Sequence, residues 1–144
     1  MKRKSPLATL LRVRRLQEDV AKAEVARARI EAAMADDVAA ARENSLSRSR
    51  PAEGDPRAFV ASMVASRSLA FEAAMMRRAA QEAHSGVQLR LADWSAAAGR
   101  AEGVERVVTR HHEEYVAEAM AAEQAERDDL TGAAWQRRKG DDRS

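Results

Sequence analysis

Two prolines and a glycine fall within six consecutive positions, Pro51-Ala52-Glu53-Gly54-Asp55-Pro56. Ahead of them, from Leu7 to Arg50, 44 residues pass without a glycine or a proline. These two residue types are the strongest breakers of regular backbone, so the chain has one marked corner and room for a long helix on either side of it. The stretch before the corner, Ser45-Leu46-Ser47-Arg48-Ser49-Arg50, is polar and has no helical apolar pattern. Asp55 followed by Pro56 reads as a cap with proline at the first helical position, where its missing N–H costs nothing. Ser5-Pro6 has the same form. The spacing predicts a first helix over about 5–46, a turn over about 47–55, a second helix over about 56–138 and a flexible tail over 139–144. Gly86, Gly99 and Gly103 interrupt the second helix, each at a cost of about 1 kcal/mol relative to alanine. Neither Ser85-Gly86 nor Gly99 has caps or prolines around it, so a bend or soft spot is expected there. A second turn, giving a three-helix bundle, is the alternative.

Composition says what can hold such helices together. Alanine fills 33 positions, and Ala, Glu, Lys, Leu and Arg together fill 81 of 144. That bias belongs to coiled coils and long helices. Val, Leu, Ile and Phe number only 23, too few for a wide core but enough for a narrow helix–helix seam. The expected fold is therefore all-α, an antiparallel two-helix coiled-coil hairpin with a longer second helix. Steps of three and four predict the first helix's seam as Leu16, Val20, Ala23, Arg27, Ile30, Met34 and Val38, below a wider apolar start at Leu7, Leu10, Leu11 and Val13. Arg14, Glu18, Lys22, Arg29, Asp36 and Glu43 are expected on the solvated face. On the second helix the predicted stripe runs through Phe59, Val60, Met63, Val64, Arg67, Ala70, Phe71 and Ala74. It continues through Val87, Leu91, Trp94, Ala98, Val104, Val108, His111 or His112, Tyr115, Ala119 and Ala122.

At 1.5 Å per residue the helices are about 60 Å and about 120 Å long, so the first can cover only about half of the second. Residues 99–138 are expected to lie uncovered, with Val104, Val107, Val108, Tyr115, Val116, Met120 and Leu130 awaiting a partner chain. Self-association through the same stripe is the competing reading. Charge is segregated as well. Residues 1–15 carry Lys2, Arg3, Lys4, Arg12, Arg14 and Arg15 and no acid, whereas residues 102–129 carry nine acids against Arg106, Arg110 and Arg127. An antiparallel fold brings the basic start toward the acidic stretch, a bias softened by screening over about 8–10 Å.

Other classes are weakened one by one. Without cysteine there is no disulfide framework and no thiolate chemistry. No run reaches the ~18 consecutive apolar residues of a membrane span. The apolar run Leu7–Leu11 is shorter than the ~7–15 residues of a secretory signal, so a cytoplasmic protein is expected. His111-His112-Glu113-Glu114 is the only cluster resembling a metal site, but adjacent helical positions point about 100° apart and His84 is the only other histidine. No metal and no cofactor are expected, and no phosphate loop or nucleophile–base pattern is present. A slender hairpin also lacks the concave pocket of an enzyme. The basic first turns could meet phosphates, but no aromatic residue is interleaved and the acidic second half would repel a duplex. Nucleic-acid binding is the weakest alternative.

Two stretches carry a family resemblance. Pro6-Leu7-Ala8-Thr9-Leu10-Leu11-Arg12-Val13-Arg14-Arg15-Leu16-Gln17-Glu18-Asp19 resembles the opening of the flagellar export protein FliJ family, in which paired leucines precede an arginine and then an acid. Arg110-His111-His112-Glu113-Glu114-Tyr115, followed by Glu123-Gln124-Ala125-Glu126-Arg127-Asp128-Asp129-Leu130, is similar to that family's closing pattern. In this chain a histidine doublet stands where the family's arginines usually precede the tyrosine. The resemblance implies a non-enzymatic component of the flagellar type III export apparatus: a stalk-like antiparallel coiled coil that enters the export ATPase ring, contacts the export gate and handles export chaperones. It would be cytoplasmic and associated only peripherally with the membrane at the flagellar base. Leu10, Leu11, Arg14, Val104, Val108, Tyr115 and Leu130 are then the expected ATPase-facing residues. Phe71 and Met75, large side chains among alanines, are the expected gate contact, with packing in the seam as their alternative.

Overall fold

A computed structural model describes residues 6–141. Two helices, α1 (Pro6–Arg48) and α2 (Pro56–Asp141), pack against each other, and there is no strand among the described residues. The helical hairpin with a longer second helix is thus the observed fold. α2 continues to Asp141, past the expected end near 138, so the expected flexible tail is helical over 139–141; its last residues, 142–144, lie outside the described residues, as does Ser5. The helix also runs unbroken through Gly86, Gly99 and Gly103.

The corner forms as its residues dictate. Gly54 adopts φ +94°, a conformation that costs an L side chain about 1–2 kcal/mol. The Asp55 carboxylate accepts from the Arg57 N–H at 3.0 Å, and the Asp55 carbonyl accepts from the Phe59 N–H at 2.9 Å, capping α2. Serines close the connection: the Ala52 N–H donates to Ser62 Oγ at 2.9 Å, and the Ser49 and Ser66 hydroxyls share a 2.6 Å hydrogen bond.

By contact the chain divides into two units, Val13–Arg100 and Met1–Arg12 with Ala101–Ser144. In the first unit the seam consists mainly of alanine. Val25, Ala32 and Ala39 of α1 and Ala73, Ala80, Val87 and Ala97 of α2 are its buried residues. They belong to a seven-residue recurrence, with half-buried Arg14, Glu18, Ala21, Ala28, Ala35 and Leu46 completing α1, and Ser66, Leu69, Met76, Ala83 and Trp94 completing α2. The pairing is antiparallel. Glu43 pairs with Arg77, and seven residues back on α1 and seven on along α2, Asp36 meets His84 at 2.8 Å. Arg42 and Glu72 add a looser pair at 3.6 Å.

This seam overturns the expected one on α1. Leu16, Val20, Ile30, Met34 and Val38 are 47–64% exposed, while Arg14, Glu18 and Glu43, expected in solvent, are half-buried along the seam; Asp36 is exposed as expected although it pairs with His84. The helix is rotated by roughly half a turn from the orientation its largest side chains suggest. Lys22 and Arg29 are exposed as expected. The same reversal holds early on α2, where Phe59, Val60, Met63, Val64 and Phe71 are exposed. Further along, Val87, Leu91, Trp94 and Ala98 are buried or half-buried as expected. The physical reason is backbone approach: a seam of methyl groups lets two helices lie close, and the hydrogen-bonded and charged pairs along its edges need that proximity.

In the second unit the recurrence goes on through Leu7 and Leu11 of α1 and Ala101, Val104 and Val108 of α2. Ala101 is buried and the others are half-buried. The uncovered stretch of α2 therefore begins at Thr109, not near residue 99, because the first turns of α1 reach Val104 and Val108.

Candidate partner-binding surfaces

From Thr109 to Lys139 every residue of α2 is exposed. A helix without a partner is held only by its own ladder and by neighbours three or four residues apart. Several such contacts are present: Arg127 with Glu123 at 3.6 Å, Gln124 Nε2 donating to Asp128 at 3.0 Å, and Lys139 Nζ 4.6 Å from the Trp135 ring centre. Tyr115, Val116, Met120, Leu130 and Trp135 are the large apolar side chains left in solvent along it. His111 and His112, expected to extend the seam on one side, and Ala119 and Ala122 are exposed with the rest.

Of the expected ATPase-facing residues, Val108 and Tyr115 come together with Leu7, Ala8, His111 and His112 around a shallow concavity. Val104 lies one turn before Val108 in the seam. Leu10 is exposed and Leu11 half-buried on the same turns as Leu7. Leu130 lies fifteen residues beyond Tyr115, about 22 Å along the helix. Arg14 falls in the other unit, half-buried in the seam, and donates from Nη1 to Gln17 Oε1 at 3.0 Å.

Phe71 and Met75 are 68% and 43% exposed, so neither packs in the seam. Phe71 lines an apolar concavity on α2 with Phe59, Val60, Met63, Val64, Arg67 and Ser68; Met75 stands outside it. α2 also contains one 18-residue window long and apolar enough, by length and composition, to cross a membrane, with 6% of it buried. The absence of an unbroken apolar run had pointed away from any such segment.

Among the described residues no three His, Asp or Glu side chains are placed to hold a metal ion. Trp94 carries a buried Nε1–H with no hydrogen-bond partner among them. What the surfaces can do chemically is bind, through apolar stripes with charged borders. Sequence reasoning missed both the alanine seam and the apolar stripe that it turns outward on α1. The signal for the seam was the seven-residue recurrence through Val25, Ala32 and Ala39 on α1 and Ala73, Ala80 and Val87 on α2, hidden among 33 alanines.

Compared with protein-family models, with curated proteins and with solved structures, the chain matches none.

Proposed function

We propose that this chain is a non-enzymatic coiled-coil stalk of a flagellar type III protein export apparatus, similar to the FliJ family. It binds the export ATPase ring, contacts the export gate and escorts export chaperones, without a cofactor. Its place is the cytoplasm, peripheral to the membrane at the flagellar base. The observation that carries this reading is the run of α2 from Thr109 to Lys139, helical yet exposed throughout, with Tyr115, Val116, Met120 and Leu130 unpaired. Apolar side chains so displayed are covered by another molecule when the helix works. Nine acids against three arginines over 102–129 suit a basic lining in that molecule. The opening and closing sequence patterns direct the choice of partner to the export ring.

The test is a pull-down of the export ATPase with the double variant V108E/Y115E. Binding should be lost while far-UV circular dichroism keeps its helical signal. Undiminished binding overturns the assignment of these residues. Location of the gene away from any export ATPase gene would count against the wider reading.

A further inference from the structure

We infer that the Val13–Arg100 unit self-associates, the outward stripe of α1 in one copy docking on the apolar stripe of α2 in a second copy of this chain. Both stripes face away from the alanine seam. Leu16, Val20, Ile30, Met34 and Val38 recur along α1 over about 33 Å, and Phe59, Val60, Met63, Val64, Phe71 and Met75 along α2 over about 24 Å. The seam already joins these helices within one chain, so the two stripes cannot cover each other without a second molecule.

Their borders are opposite in charge. On α1, Asp19 lies one turn from Leu16, Glu31 beside Ile30 and Asp37 one turn from Met34, around a stripe that also holds Arg27, which is paired with Glu24. On α2, Arg67 sits within the apolar patch, one turn from Met63, Val64 and Phe71, and Arg57 and Arg78 stand toward its ends. The fourth arginine of this stretch, Arg77, and its one acid, Glu72, are taken up by Glu43 and Arg42 along the seam. No salt bridge engages Arg67, Arg78, Asp19 or Asp37 among the described residues. A basic apolar stripe and an acidic apolar stripe of similar length suit each other. An anionic lipid surface would suit α2 alone and would leave the α1 stripe uncovered. The inference does not depend on the ATPase-ring contact, because Tyr115 and Leu130 take no part in it, but it covers Phe71 and Met75, the expected gate contact, with a second copy.

The test is sedimentation equilibrium of the full chain and of two charge-reversed variants, R67E/R78E and D19R/D37R. The wild type should sediment as a multiple of 15.8 kDa. Each variant alone should associate about tenfold more weakly or not at all, since like charges then meet. An equal mixture of the two should regain the wild-type mass, because each reversed stripe finds its complement. A wild-type monomer at high micromolar concentration overturns the proposal, as does association that survives both reversals or fails to return in the mixture. Flotation with anionic vesicles that R67E/R78E abolishes, beside a monomeric wild type, would assign the α2 stripe to lipid instead. All four substituted side chains are exposed; should either variant lose helicity, R67Q/R78Q and D19N/D37N replace the pair, with weakened association expected and unchanged association overturning the proposal.

Discussion

At the scale of single residues, this protein exchanges the usual roles of large and small side chains. Burial ordinarily selects Leu, Ile, Val, Phe and Met. Here five of the seven buried seam residues of the Val13–Arg100 unit are alanines, and most of the larger side chains stand outside. Ala73 and Ala32, each 2% exposed, therefore set how closely the helices approach. Ala73→Leu should destabilise the fold by about 1–3 kcal/mol through overpacking, read as a lower urea midpoint. Ile30→Ala, measured at a concentration low enough to keep the chain monomeric, should stay within about 0.5 kcal/mol of wild type. The reverse ranking would mean that the large-residue face forms the seam. Acrylamide quenching offers a second check, with Trp135 emission lost well before that of half-buried Trp94.

At the scale of elements, the glycines divide into one that is required and several that are tolerated. Gly54 has no neighbour within 4 Å of a side chain placed on it, so its cost on substitution is one of backbone conformation alone. Gly54→Ala should destabilise by about 1–2 kcal/mol and loosen the corner. Gly99 lies in regular helix, also with open space around it. Gly99→Ala should then stabilise by about 0.5–1 kcal/mol, seen as a raised melting temperature. A loss of stability at Gly99 would show that the helix interior uses its flexibility. The corner and both helix starts were readable in advance because Pro, Gly and capping residues act locally. α2 passes Gly86, Gly99 and Gly103 without a second turn, as the missing caps and prolines led one to expect, since propensity penalties of about 1 kcal/mol are small beside the cooperativity of a long helix.

At the scale of the whole molecule, protection from solvent should be uneven. Amides of α2 between 60 and 100 have a packed helix beside them, whereas those from 109 to 139 have none among the described residues. Hydrogen exchange should therefore be markedly faster over 109–139, and slow down there on addition of the export ATPase if the proposed function holds. Uniform protection along α2 in the free protein would contradict the uncovered helix. Much of this arrangement was legible: the long and short arms, their antiparallel course, and an uncovered carboxyl-terminal stretch all follow from where the breakers fall. Of the candidate site, Tyr115 and Leu130 are as exposed as the length argument requires. Val104 and Val108 are half-covered because the first turns of α1 carry the recurrence to them.

By itself, then, the order of breakers and caps determined that this chain makes two helices meeting at residues 51–56, since those signals act within a few residues. Which face of each helix turns inward was decided only in three dimensions. Alanine carries so little hydrophobic signal that a strip of it is invisible in a chain rich in alanine, and its value as a seam comes from the closeness it allows to a second helix. That closeness is a property of the pair, and it turned the larger apolar residues outward, where they stand exposed.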